Sequence, residues 1–243
     1  MYFGDQSIRL MGVIIDNPNL RDKRFVFSDR HDAGKKLGAL IKSRDLLQEP
    51  VVIAIPAGGV PVGVEIARIL RAPISLAIVR KIQIPGNTEA GFGAVTWDGH
   101  VLINEQLRAA LGLSQGEVNA AISATRQNIR DRIARYTTGR SFPDLTKKCV
   151  ILTDDGLASG YTMLAAITSI RIMQPERVIV AIPTSSVSSA ERIARKVDEV
   201  ICLNIRSGQR FAVAEAYRHW YDLDDREVMA ELTSIPDRDG QPV

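Results

Sequence analysis

Val150-Ile151-Leu152-Thr153-Asp154-Asp155-Gly156-Leu157-Ala158-Ser159-Gly160-Tyr161-Thr162 runs from an apolar stretch through two acids into a turn of small residues. The apolar stretch carries a strand signal, and the turn delivers the chain to a helix starting near Thr162. Asp154 and Asp155 therefore stand at the carboxyl end of a strand. Two opposite chemistries share this loop. The backbone N–H groups of the turn, the Ser159 and Thr162 hydroxyls and the positive end of the helix suit a phosphate monoester. The carboxylates can only accept hydrogen bonds, so they suit the hydroxyls of a sugar. The combination reads as a cradle for ribose 5-phosphate. A plainer reading makes Asp-Asp a solvated pair and Ser159 an N-cap. At average residue usage, however, Asp-Asp followed after three residues by Ser/Thr-Gly-x-Thr arises on the order of once per million start positions.

Outward from this loop, short β-branched runs at Val51 to Ile55, Ile74 to Val79, Val150 to Thr153, Val178 to Ile182 and Val200 to Leu203 alternate with helical patterns. Asp32 to Ile41, Val60 to Leu70, Thr162 to Met173 and Ser188 to Lys196 repeat apolar residues at spacings of three and four. That alternation predicts an α/β fold, a parallel sheet of about five strands covered by helices on both faces. Ligands of such sheets bind beyond the carboxyl ends of the strands, so the loops after Ile55, Val79, Thr153 and Ile182 should converge on one pocket. In the first of them, Pro56-Ala57-Gly58-Gly59-Val60-Pro61, paired glycines permit close approach of N–H groups to an anion. The second opens with Arg80-Lys81 and runs as a loop through Pro85, Gly86, Glu89, Gly91 and Gly93 to a hairpin from Val95 to Ile103 that turns at Asp98-Gly99.

These segments together resemble the type I phosphoribosyltransferase superfamily, in a little-characterised prokaryotic branch. The resemblance rests on Asp154 to Thr162 and on Phe27-x-Asp29-Arg30-x-Asp32-Ala33-Gly34, Pro56-x-Gly58-Gly59-Val60-Pro61-Val62, Val79-Arg80-Lys81, Pro85-Gly86-x-x-Glu89 and Gly93-Ala94-Val95, and covers about residues 27 to 235. It implies a single domain over residues 1–243, with a core at about 29–205, a mobile lid hairpin and helical insertion at about 80–140, and a small hood from about 1–28 and 206–243. It also implies a Mg2+-dependent transfer of ribose 5-phosphate from phosphoribosyl pyrophosphate to a nitrogenous base, with release of pyrophosphate. Carried over by position, Asp154 and Asp155 hold the ribose hydroxyls, while Gly156, Leu157, Ala158, Ser159, Gly160, Tyr161 and Thr162 hold the 5-phosphate. Ala57, Gly58 and Gly59 hold the pyrophosphate. Arg80 and Lys81 neutralise the leaving group, and Glu89 is a further catalytic candidate. Magnesium arrives on the diphosphate of the donor, so no metal-ligating side chains are assigned. Relatives usually carry Arg where this chain has Ala57, which removes a bidentate phosphate partner.

The acceptor is less legible. Relatives acting on 6-oxopurines usually present a Lys in the loop after the next strand, where this chain has Ile182-Pro183-Thr184-Ser185-Ser186. Phe211, Tyr217, Trp220 and Tyr221 either stack on a base or pack the tail onto the sheet, and packing is the favoured expectation. Two alternatives stand beside the transferase: a non-catalytic protein that binds the donor or a nucleotide to regulate a partner, and a phosphoribosyl-pyrophosphate synthetase, disfavoured because no second nucleotide-binding half is seen.

A net charge of +3 across 243 residues supplies little long-range pull on nucleic acid or acidic lipid. The helical stretch from Glu117, with Arg126, Arg130, Arg132, Arg135 and then Arg140, is expected to be solvated or to make subunit contacts. Cys149 and Cys202 read as buried thiols. Met1 to Ile15 has no signal-peptide pattern, and no run approaches the roughly 20 apolar residues of a membrane span, so a cytoplasmic location is the default expectation. A homodimer is expected by analogy alone.

Overall fold

The structure, a computed structural model, describes residues 12–44, 49–137, 141–208 and 210–234, apart from the side chains of residues 88 and 89. Its centre is a parallel sheet made from β1 (Val13–Asp16), β2 (Pro50–Ala54), β3 (Ile74–Leu76), β7 (Cys149–Thr153), β8 (Arg177–Ser186) and β9 (Glu199–Arg206), in the order β1-β9-β8-β7-β2-β3. The period-2 alternation of these strands divides the core in two. Val52, Ala54, Ile151, Ile179, Ala181 and Ile201 face α1 (Arg30–Lys42) and α2 (Gly59–Leu70). Their neighbours Val51, Ile53, Val150, Leu152, Val178 and Val180 face α5 (Tyr161–Ile172) and α6 (Val187–Ala194). Because helices cover both faces, the central strands are apolar without interruption, which is what made them visible in the sequence. Both cysteines are buried free thiols, and burial pushes Cys149 up to about 11.

Six strands stand where about five were expected. The sixth, β1, comes from the segment assigned to the hood, and pairs with β9 in register Val13 to Glu199. The expected strand from Ile74 to Val79 is also divided. Ile74–Leu76 stays in the parallel sheet, and Val79–Ile84 leaves it as β4 to join β5 (Asn87–Thr96) and β6 (Val101–Ile103) in an antiparallel sheet. Arg80 to Gly93 is therefore a hairpin, not a loop. Its glycines and proline suggested a loop, but Val79, Ile82 and Phe92 are buried and hold the segment as strands. The turn at Asp98-Gly99 lies where expected, closed by Gly99 N–H to the Thr96 carbonyl at 3.0 Å.

α3 (Glu105–Ala110) follows, and then α4 (Gln115–Tyr136), opened by a Ser114–Glu117 capping box and packed on β4. The arginines of α4 have work within the fold. Arg126 donates to the Gly99 carbonyl at 3.4 Å, and Arg132 and Arg135 pair with Asp225 at the start of α7 (Asp225–Thr233). Tyr136 donates to the same carboxylate, and burial with this bond pushes its phenol up to about 12. Arg140 lies outside the described residues. Among the described residues, no helix is long and apolar enough to cross a membrane.

A second tie holds α7 at its other end. His31 on α1 bridges Glu65 of α2 (Nδ1, 3.1 Å) and Glu231 of α7 (Nε2, 2.9 Å), and Arg68 donates to Glu65 at 2.6 Å. The bond to Glu231 is the main cause that raises the His31 pKa above its ordinary value. The fold therefore binds the imidazole proton more tightly than the unfolded chain does. This stabilisation is complete below about pH 6.5 and disappears as pH rises through the higher folded value. Urea midpoints measured from pH 5.5 to 8.5 should show wild type losing its advantage over His31→Gln across that window. A constant difference between the two proteins would refute the tie.

Candidate functional site

The carboxyl ends of β2 and β7 lie side by side, with Ala54 registered against Thr153. This places the Pro56-to-Gly59 loop directly against Asp154 and Asp155. The Pro56–Ala57 peptide is cis. Ala57 packs its methyl toward the core. A Cβ built on Gly58 would lie 1.9 Å from Asp155 Oδ2, so no side chain fits there unless the carboxylate moves. The sequence expected these glycines for their approach to an anion; in the structure, the approach they make is to the acidic pair.

The pair is held tightly. Asp154 Oδ1 accepts from the Asp155 N–H at 2.8 Å. Asp155 Oδ2 meets Arg30 Nε at 3.0 Å, and the buried Arg30 also donates through Nη1 to the Tyr221 carbonyl at 2.8 Å. The guanidinium carbon stands 3.9 Å over the Trp220 ring. The Tyr217 hydroxyl donates to the Asp155 carbonyl at 2.5 Å, and its ring lies 5.6 Å from Phe27 and 5.2 Å from Trp220. Burial raises the Asp154 pKa well above the carboxylate range, and the charge of Asp155 adds to this. Asp155 is raised by burial too, against the opposing charge of Arg30. The pair is thus short of solvent and holds protons more readily than free carboxylates, and its ionised form is stabilised by hydroxyl donors or positive charge.

Beyond the pair, Gly156 to Gly160 forms the turn into α5. Leu157 N–H is bonded to the Thr184 carbonyl at 2.9 Å, which anchors the turn on β8. Gly160, at φ +73, is the N-cap of α5 and makes no side-chain cap bond, so Ser159 is not the cap. A left-handed residue at this point swings successive N–H groups to one side, the arrangement that receives an anion. Tyr161 opens the helix, and its hydroxyl accepts from Asn104 Nδ2 at 2.9 Å, linking the turn to the antiparallel sheet. At the other end of α5, Ser169 Oγ reaches Thr96 Oγ1 (3.0 Å) and Asp98 Oδ1 (2.9 Å) on the same sheet.

Arg80 and Lys81 are adjacent on β4, and strand alternation sends their side chains to opposite faces. Arg80 is half-buried, with Arg132, Tyr136 and Asp225 as the charged or titratable groups around it; burial, and then Arg132, lowers its pKa. Lys81 is exposed. Both line a cavity of about 670 Å³ between the β4–β5 hairpin and α4. The Glu89 side chain lies outside the described residues. Of the aromatic residues, Tyr217 is buried packing, Phe211 lies 5.4 Å under Arg206, and Trp220 and Tyr221 keep exposed surface. Arg30 stands in the sequence motif without an assigned role. Its partner lies 125 positions away, and the only local signal was a basic residue following the Asp29 helix cap.

A parallel α/β sheet with an acidic pair and a glycine-capped turn into a helix at its carboxyl edge has the architecture of the type I phosphoribosyltransferases. The phosphoribosyl transferase domain family matches residues 29–218, and the chain belongs to that family. A protein of Mycobacterium tuberculosis, found in strains H37Rv and CDC 1551 and named "putative phosphoribosyl transferase", is 33% identical over 207 residues. That stretch is 85% of this chain and 46% of the relative, so the chain spans about half its length. The crystal structure of TT1426 from Thermus thermophilus superimposes with a TM-score of 0.70 at 33% identity, covering 86% of this chain and 98% of that one.

The Arg30–Asp155 pair makes a prediction of its own. Arg30→Gln leaves a buried carboxylate without its cation and should destabilise the protein by about 3–5 kcal/mol at pH 8. The loss should shrink as pH is lowered, since the raised Asp155 carboxyl can take up a proton in place of its cation; pH 5 serves as the comparison. Denaturant unfolding at the two pH values checks this, and equal losses at both would contradict it.

Proposed function

We propose that the chain transfers the ribose 5-phosphate group of phosphoribosyl pyrophosphate to a nitrogenous base, releasing pyrophosphate. The observation that carries this reading is the contact of the Gly58-Gly59 loop with the Asp154–Asp155 pair, so that a glycine turn, an acidic pair and the turn into α5 share one sheet edge, which supports a donor laid across them. In this reading Asp154 and Asp155 accept the ribose 2- and 3-hydroxyls, and Ala158 to Thr162 receive the 5-phosphate. The Ala57-Gly58-Gly59 backbone faces the pyrophosphate. As pyrophosphate leaves C1, positive charge grows on the ribose, and the two carboxylates lie where it is stabilised. Arg80 and Lys81 stand on the hairpin as the cations for the leaving group, with Glu89 a further candidate in the same hairpin.

Among the described residues, no cluster of three His, Cys, Asp or Glu side chains forms a metal cage. What fits magnesium is the pair of carboxylates beside a substrate that brings its own oxygen ligands. Bound there, the ion would supply charge neutralisation to the diphosphate. Everything else asked of the protein is orientation of the donor and shelter of the reacting bond from water.

Pyrophosphate release, measured with donor, magnesium and a panel of purine, pyrimidine and related bases, tests the reading. Donor binding without turnover of any base would instead favour a binding-only, regulatory protein, the reading that Ala57 supports. Asp154→Asn with Asp155→Asn should lower donor affinity by at least about tenfold, ~1.4 kcal/mol. Wild-type affinity should itself fall as pH drops from 8 to 5, since the raised carboxylates take up protons that donor binding must displace. Affinity independent of pH and of both substitutions would remove the acid pair from the site. Lys81→Ala should reduce kcat more than donor affinity, and equal losses would count against its role at the leaving group.

A further inference from the structure

The phosphate turn is supported from behind by α6. Ser189 Oγ donates to the Ala158 carbonyl at 2.5 Å, and Arg192 Nη1 donates to the Ser159 carbonyl at 2.9 Å. Ser189 is buried; Arg192 is exposed, with its guanidinium 5.6 Å from the centre of the Tyr161 ring. Both lie on one side of the helix, three residues apart. Ser186 caps that helix by accepting from the Ser189 N–H at 3.2 Å, which fixes where the two side chains stand.

The consequence follows from peptide geometry. The Ala158–Ser159 and Ser159–Gly160 bonds are trans, so in each planar unit the carbonyl and the following N–H point in opposite directions. Holding the Ala158 carbonyl toward α6 turns the Ser159 N–H away from it, and holding the Ser159 carbonyl does the same for the Gly160 N–H. A donor on a carbonyl also polarises its peptide unit and strengthens the N–H at the other end, more so when that donor is charged. Ile193, next to Arg192 on the helix, packs 3.7 Å from where a Gly160 Cβ would stand, so α6 closes the back of the turn sterically as well.

We propose that Ser189 and Arg192 are positioning residues for the 5-phosphate subsite: from α6 they orient two backbone N–H groups toward the phosphate and place one positive charge behind them. The proposal rests on the phosphoribosyltransferase reading of the site. It adds that the strength of the phosphate turn is set by a neighbouring helix and not by the turn's own sequence alone.

Two probes test it on the full-length protein, since the site offers separate places for the two ends of the donor. Ribose 5-phosphate reports the phosphate turn, and pyrophosphate with magnesium reports the Gly58-Gly59 loop; both are titrated by calorimetry. Arg192→Ala and Ser189→Ala should each weaken ribose 5-phosphate by about three- to tenfold, as expected for one supporting hydrogen bond. Pyrophosphate affinity should change by less than about twofold, and Arg192→Lys should recover part of the loss because it restores a cation and a donor. In turnover the variants should raise the donor KM and leave kcat near wild type, because the 5-phosphate takes no part in bond breaking. Unchanged ribose 5-phosphate affinity in both variants would overturn the proposal. An equal loss for both probes would overturn it too, by showing a general disturbance of the fold. Wild type that binds neither probe would defeat the phosphoribosyltransferase reading itself, a distinguishable result.

Discussion

Two carboxylates desolvated side by side at the end of β7 are the constraint to which the surrounding structure answers. Burial disfavours charge on both and raises both pKa values within the fold; the charge of Asp155 adds to the shift of Asp154, and Arg30 opposes the shift of each. Arg30 does so from its bond to Asp155, the Asp155 N–H does so on Asp154, and the Tyr217 hydroxyl holds the Asp155 backbone carbonyl. Arg30 and Tyr217 come from distant parts of the chain, and the Gly58-Gly59 loop closes against the pair. The start of α1, the loop after β2 and the tail after β9 must all arrive before the acidic pair is complete. Phe27, Tyr217 and Trp220 form the wall against which Arg30 is held, with Tyr217 buried and Trp220 still partly exposed.

The fold was legible wherever burial was symmetric. β2, β7 and β8 are covered on both faces, so their sequences are unbroken β-branched runs, and the helices between them show their apolar stripes. β1 escaped notice because it is an edge strand of four residues, partly exposed and close to the chain start. The division of Ile74 to Val79 escaped because both halves are apolar. Only the pairing of Leu76 with Ala54 and of Val79 with Thr96 reveals that they belong to different sheets. The short helices α3 and α7 depend on caps and on ties to other elements, Asp225 and Glu231 among them, more than on any stripe of their own.

The site divides along the same line. Asp154 to Thr162 is contiguous, so its chemistry could be read directly, and the Gly58-Gly59 loop could be placed beside it from strand order. Arg30, Ser189 and Arg192 act across 125, 31 and 33 positions, and no local pattern announces such contacts. Arg80 and Lys81 have opposite strand parity on β4, yet both border the cavity between the hairpin and α4.

Hydrogen bonds at both ends of α5 tie the antiparallel sheet to the parallel one. Tyr161 is joined to Asn104 beyond β6, and Ser169 to Thr96 and Asp98 at the β5–β6 turn. Opening the antiparallel sheet as one body would break these bonds, whereas movement of the Pro85-Gly86 end of the β4–β5 hairpin would leave them intact. The helix that begins at the turn after the acidic pair is thus also the strut that joins the antiparallel sheet to the parallel one.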